Sequence, residues 1–172
     1  QKICKNFKQA IRDKIQKDRL EKWWTMTKKL TEGQIQSIDF AAARQAWKNV
    51  WPARRRYVSK FSTNYSPVGR NMRRWRFWKT NQCPRCLAPN ETCNHVLQCM
   101  DPRAATTRQV AFASLSQRMD DIKTAPLIQG ALLTALKCWI AATVIPTDFT
   151  AEIQSALDQQ LTLGWDQFVR GR

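Results

Sequence analysis

The residues best suited to chemistry lie in one stretch, Cys83 to Cys99, which reads CPRCLAPNETCNHVLQC. It contains four of the six cysteines and the only histidine of the chain. Their order is Cys83-x2-Cys86, eight residues, then His95-x3-Cys99. A CxxC turn aims two thiolates at one ion, and a histidine and a cysteine four apart lie one turn from each other on a helix face. The spacing therefore predicts a zinc site of Cys83, Cys86, His95 and Cys99. Four protein donors leave no open position for water, so the expected role of the ion is structural rather than hydrolytic. Cys93 stands outside this set. In a helix running from Glu91 onward it points nearly opposite to His95, two residues away, and both cannot reach one ion.

Other chemistries fit these residues less well. A redox dithiol at CPRC needs a strand-to-helix context in a βαβ pattern, and none precedes Cys83. A disulfide framework is unnecessary for a chain of 172 residues, which can build its own core. A Cys-His nucleophilic pair is a poorer account of a lone histidine inside a cysteine cluster than a ligand role. Metal-bound cysteines point to a reducing compartment, nuclear or otherwise intracellular.

The elements that must position this site are helices. Ile3, Phe7, Ile11 and Ile15 recur every four residues, and Leu20, Trp23 and Trp24 resume the pattern after a slip. Lys2, Lys5, Lys8 and Lys14 read as its solvated face. A turn is expected around Glu32 and Gly33. Asp39 can then cap a helix from Phe40 to Val50, stopped by Pro52, with Trp47 and Trp51 one turn apart as core residues. Arg54 to Arg56 open a short helix with Val58 and Phe61 inward. Ser66-Pro67 reads as a cap and first turn for the helix VGRNMRRWRFWKT. After a turn at Asp101-Pro102, Ala111, Phe112, Leu115, Met119 and Ile122 mark another amphipathic helix. Thr124 with Pro126 starts a helix apolar nearly all round, ended by Pro146. Thr150 caps a last one carrying Ile153, Leu157, Leu161, Trp165 and Phe168. No period-2 strand is evident. The expected fold is mostly α, a helical domain with an embedded CCHC zinc knuckle. Its expected parts are an N-terminal amphipathic segment (1–38), a basic, Trp-rich zinc-knuckle module (39–103), and a C-terminal helical subdomain (104–172) sharing the core.

Charge sharpens the functional expectation. The formal net charge is +16, and such an excess calls for a polyanionic partner, by default nucleic acid. From Phe40 to Asn90 there are twelve Lys and Arg and no Asp or Glu, whereas 104–172 carries six of each sign. The predicted contact set is Arg54, Arg55, Arg56, Lys60, Arg70, Arg73, Arg74, Arg76, Phe77, Lys79 and Arg85. Guanidinium forks bind phosphate oxygens bidentately, and an aromatic beside them can stack on an unpaired base. The apolar stretch Leu127 to Ile145 is interrupted by Gln129 and Lys137 and reads as a buried helix, not a membrane span. No signal peptide is visible, and a start at Gln1 rather than Met suggests a fragment or processed piece.

The run Trp47-x3-Trp51, Lys60-Phe61, Pro67-Val68-Gly69, Cys83-x2-Cys86, Glu91-Thr92, His95 and Cys99 resembles the zinc-binding region near the C-terminus of retrotransposon-type (non-LTR-like) reverse transcriptases. The match is specific over Ile38 to Arg103 and loose elsewhere. The resemblance implies a non-catalytic region that helps hold template RNA or target DNA, with Cys83, Cys86, His95 and Cys99 as ligands. Asn64-Tyr65-Ser66 and Cys93 depart from the family pattern. No polymerase aspartate pair is present, since Asp120-Asp121 lies in a helical pattern, so the chain is not expected to be an enzyme. The expected function is a nucleic-acid-binding zinc domain of a reverse-transcriptase-like protein, its ligand RNA or single-stranded or target DNA, working beside that protein's other domains. An alternative of another class is a structural subunit of a larger ribonucleoprotein or protein assembly, including a domesticated retroelement domain.

Overall fold

The computed structural model describes residues 15, 18, 19, 21–28 and 30–171. Among these the regular elements are all helical, with no strand. The chain divides into two compact units, residues 1–43 and 44–172. The basic segment, the Cys/His stretch and the C-terminal helices thus belong to one unit.

In the first unit a π-helical turn spans Trp24–Lys28. The turn expected at Glu32 and Gly33 is instead helix α1, Glu32–Gln36. Thr31 and Gln34 form a capping box: the Gln34 amide donates to Thr31 Oγ1 (3.2 Å) and the Thr31 amide to Gln34 Oε1 (2.9 Å). Leu30, Ile35 and Ile38 are buried, and Trp24 stacks on Phe40 at 5.4 Å. The helix expected over Ile3, Phe7 and Ile11, with Lys2, Lys5, Lys8, Lys14 and Leu20, lies outside the described residues.

Helix α2 runs Phe40–Asn49, with the Asp39 carboxylate accepting from the Ala42 amide at 2.9 Å, and α3 runs Pro52–Ser62. Pro52 begins α3 at a first-turn position, where its missing N–H costs nothing. Neither helix buries a residue completely, and Trp47 and Trp51 are 39% and 68% exposed. The expectation that these two tryptophans belong to a core is therefore corrected.

The helix expected from Val68 to Thr80 is shortened to α4, Gly69–Arg74. It starts after Val68, which is extended (φ −98°, ψ 160°), rather than at Ser66-Pro67, and its first amides are satisfied by Glu91: Gly69 N–H donates to the Glu91 carboxylate (2.6 Å) and Arg70 N–H to the Glu91 carbonyl (3.0 Å). It ends where Arg76 adopts the left-handed conformation (φ 65°) and the Phe77 amide returns to Met72 O. Asn71, buried, donates its side-chain amide to the Asn64 and Ser66 carbonyls (2.8 Å each).

Beyond the Cys/His stretch, α5 is Cys93–Gln98, α6 is Pro102–Asp121, α7 is Pro126–Ala141, α8 is Ala151–Leu163 and α9 is Trp165–Phe168. Asp101 caps α6 through Arg103 N–H (2.9 Å). Helix α7 stops at Ala142 (φ 55°), before Pro146, and is not buried all round: Leu127 and Ile128 lie exposed near its start. The last expected helix is broken at Gly164 (φ 102°), so Trp165 turns inward while Leu161 stays exposed. Ala131, Ala135, Leu136, Leu157 and Trp165 form the core of this helical part, with Phe112, Leu115, Trp139 and Phe168 packed against it. Ala111 and Ile122 of the amphipathic expectation for α6 are exposed. Among the described residues no helix is long and apolar enough to cross a membrane.

Gly69 sits where side chains do not fit: a Cβ there would lie 2.6 Å from the Asn81 carbonyl oxygen and 2.8 Å from that of Gln82. Backbone cannot swing aside as a side-chain tip can, so Gly69→Ala is expected to destabilise the metal-loaded chain by about 1–3 kcal/mol. Chemical denaturation checks this, and an unchanged midpoint contradicts it.

Candidate metal centre

The first ligand pair sits in a tight turn. Leu87 N–H donates to Cys83 O (3.0 Å), Cys83 N–H donates to Ala88 O (2.9 Å), and Leu87 closes the turn in the left-handed region (φ 61°). The turn also aims backbone amides at sulfur. Those of Cys86 and Arg85 reach Cys83 Sγ, and that of Ala88 reaches Cys86 Sγ. The second pair is placed by α5. Thr92 caps this helix by accepting from His95 N–H (3.1 Å), which fixes His95 in its first turn. Cys99 departs from expectation in one detail. It is not on the helix face but is the first residue after it, in an extended conformation (φ −59°, ψ 129°).

The four candidate ligand atoms lie within 4.8 Å of one another. Cys83 Sγ is 3.9 Å from Cys99 Sγ, and Cys86 Sγ is 3.2 Å from His95 Nε2. A tetrahedral ion with bonds of about 2.3 Å to sulfur and about 2.0 Å to nitrogen sets S···S near 3.8 Å and S···N near 3.5 Å. The Cys83–Cys99 edge matches a tetrahedral ion and the Cys86–His95 edge is slightly shorter than one, whereas a disulfide requires sulfurs about 2.0 Å apart. The described cysteines are all free thiols. Cys83 and Cys99 are 1% exposed, and Cys93, also buried, lies outside the cluster.

The two thiols of the CxxC turn are shifted in opposite directions. Burial pushes the Cys83 thiol up to about 11, against the downward pull of the Cys86 and Arg85 amides. The Ala88 amide holds the Cys86 thiol below its usual value. A buried thiol in that range keeps its proton at neutral pH unless a cation replaces it, which suits a ligand and not a free nucleophile. Three thiolates around a divalent ion leave one negative charge in excess. The Arg108 guanidinium donates to Cys99 O at 2.6 Å and places a positive charge beside it.

The neighbours of the cluster are the part that sequence reasoning missed. Glu91, 7% exposed, joins three segments: it accepts from Gly69 and Arg70, and its own amide donates to Asn81 O (2.7 Å). The sequence does carry a signal for it, as the first acid after a long acid-free run. Helix α5 is tied to the C-terminal helices by Gln98 Nε2 donating to Trp139 O (3.0 Å) and by Arg170 donating to Asn94 Oδ1 (2.6 Å) and Asp166 Oδ2 (2.7 Å).

The predicted basic contact residues do not converge on a cleft. Arg54, Arg56, Lys60, Arg70, Arg73, Arg74, Arg76, Lys79 and Arg85 are all exposed, and Phe77 is 74% exposed. Arg55 differs: it is half-buried, and its guanidinium donates to Val50 O (3.1 Å) and Lys48 O (3.5 Å). Arg74 lies over the Tyr65 ring at 5.2 Å. Among the described residues, ion pairs hold Arg103 and Arg170 and none of the cations between 44 and 85. Comparisons with protein-family models, curated proteins and solved structures find no match for the chain.

Ligand identity separates two variants sharply. His95→Ala is expected to abolish metal binding and unfold the segment around the cluster, as a chelator or acidification does, because ligand protonation competes with the ion. Cys93→Ala should keep the full metal content and lose about 1 kcal/mol through its small cavity. Metal content by elemental analysis, with circular dichroism, checks both, and metal loss in Cys93→Ala would put that thiol in the ligand set.

Proposed function

We propose that this chain is a non-catalytic nucleic-acid-binding module in which a structural zinc ion fixes the framework and an arginine-rich face binds phosphate. The observation that carries the reading is the exposure of these cations in a segment without acids. Between residues 44 and 85 the cations are exposed, with Arg55 turned to the backbone, and no acid of that segment neutralises them. A surface of one sign attracts polyanions and repels cations, and guanidinium groups suit phosphate geometry.

Zinc is the ion best matched to three thiolates and one imidazole at tetrahedral edges, and a closed donor set gives it a structural part. The chain's own residues then hold the helix that carries Arg70, Arg73 and Arg74: Glu91 fixes its first amides beside the ligand helix. The resemblance to the zinc region of retrotransposon-type reverse transcriptases agrees with this division of labour. On that reading the module would work beside a polymerase that acts on RNA or target DNA.

Affinity is expected to fall roughly 10³- to 10⁵-fold between about 50 and 200 mM salt, as for a protein that neutralises about six to ten phosphates. Replacing Arg70, Arg73 and Arg74 together by Gln should flatten the log–log salt slope by about 2 to 3 while metal content stays full. A salt-independent affinity, or unfolding of the triple variant, contradicts the assignment.

A further inference from the structure

We infer that the joint between α2 and α3 is a stacking site for unpaired bases, so that the ligand is single-stranded nucleic acid. This rests on the nucleic-acid reading above and adds to it the strandedness of the ligand and a contact surface distinct from the α4 arginines.

Trp47 is 39% exposed, Trp51 68% and Tyr57 59%, so three large aromatics face water within eleven positions. Scattered exposed apolar residues are ordinary, but α2 and α3 bury none of their residues, and these rings have no core of their own to enter. The joint is nevertheless held in shape. Trp51 is extended (φ −54°, ψ 133°) ahead of Pro52, its carbonyl accepts from Arg54 N–H (2.9 Å), and the Arg55 guanidinium binds the end of α2 at Val50 O and Lys48 O. Tyr57 is backed by Phe61, with ring centroids 6.1 Å apart and planes 19° from parallel. A base that stacks on such rings therefore meets surfaces already in place.

Charge decides the occupant. The exposed side chains among these rings include Lys48, Arg54, Arg56 and Lys60, and the segment has no acid. An apolar protein surface offers nothing to these cations, whereas a nucleic-acid strand offers phosphates to them and base faces to the rings. A duplex keeps its base faces inside its own stack, so only unpaired bases satisfy both.

The test is a titration of the full zinc-loaded chain with oligo-dT, oligo-U and duplex DNA of about 20 nucleotides, longer than a typical single-strand site of about 4–16. Trp47→Ala/Trp51→Ala should lose roughly 10- to 100-fold in affinity for the single strands, with duplex affinity unchanged within about twofold. Trp51→Tyr, which keeps a stacking face, should retain most of the single-strand affinity. Full zinc content together with an unchanged helical circular-dichroism signal establishes that each variant is folded, and if the double variant fails either, Trp51→Ala at the more exposed position gives the same reading. Equal losses on single strands and duplex, or no loss on either, overturn the stacking site and leave the phosphate-binding face standing. A wild-type chain that binds none of the three overturns both.

Discussion

The segment from Trp51 to Arg103 depends on the Cys83, Cys86, His95, Cys99 cluster because it has little else to fold around. Helices α2 and α3 bury no residue, and α4 buries only Gly69 and Asn71. The largest fully buried side chains are Cys83 and Cys99, and Ala104 completes their cluster. Hydrophobic burial therefore cannot offset the entropy of ordering these residues. A closed tetrahedral site can, since such sites carry roughly 10–16 kcal/mol of apparent binding energy against a total domain stability of about 5–15. On the proposed reading, an ion held by the cluster takes the place of a core in this part of the chain.

The bonds around the cluster determine what that stability holds. Thr92 and Glu91 are adjacent and face two different tasks: Thr92 starts the ligand helix α5, and Glu91 receives the first amides of α4 and bonds to Asn81. Ordering the ligands thereby orders the arginine helix. On the other side, Gln98 and Asn94 of α5 bond to Trp139 and Arg170, and Arg108 of α6 bonds to Cys99 O. The cluster thus stands between the basic segment and an apolar helical core built from Ala135, Leu157 and Trp165.

What the sequence makes legible here is local chemistry. Ligand spacing identifies the residues that the fold brings together, and Asp39 announces a helix start through its side-chain cap, whereas Asp101, which reads as a turn, proves to cap a helix as well. What stays hidden is set by partners distant in sequence. The pattern of VGRNMRRWRFWKT is helical throughout, but the helix begins only after an extended Val68, with Glu91, over twenty residues later, receiving its first amides, and a left-handed Arg76 ends it. Trp47 and Trp51 have helical spacing and a core residue's composition, yet exposure depends on whether another element covers them, which periodicity does not encode. Arg55 reads as one of three equivalent arginines, and only the bend between α2 and α3 turns its guanidinium toward the backbone.

From Trp51 to Asn90 this segment also lacks acids, and the two features have one consequence. Exposed cations of one sign repel one another and oppose compaction, without the acids that a neutral surface would supply. The cluster and the backbone bonds around Glu91 hold the segment together against this repulsion. A bound polyanion would remove it, since each neutralised cation ceases to repel its neighbours. On the proposed reading, ligand and ion therefore stabilise the same segment by different routes: zinc by replacing a missing core, nucleic acid by cancelling an unbalanced charge. Binding to the folded state alone raises its stability by RT ln(1 + [L]/Kd), about 2.7 kcal/mol at a hundredfold excess over Kd. Because Glu91 links α4 to the ligand helix, that gain reaches the metal site as well, and occupied phosphate contacts slow the loss of the ion.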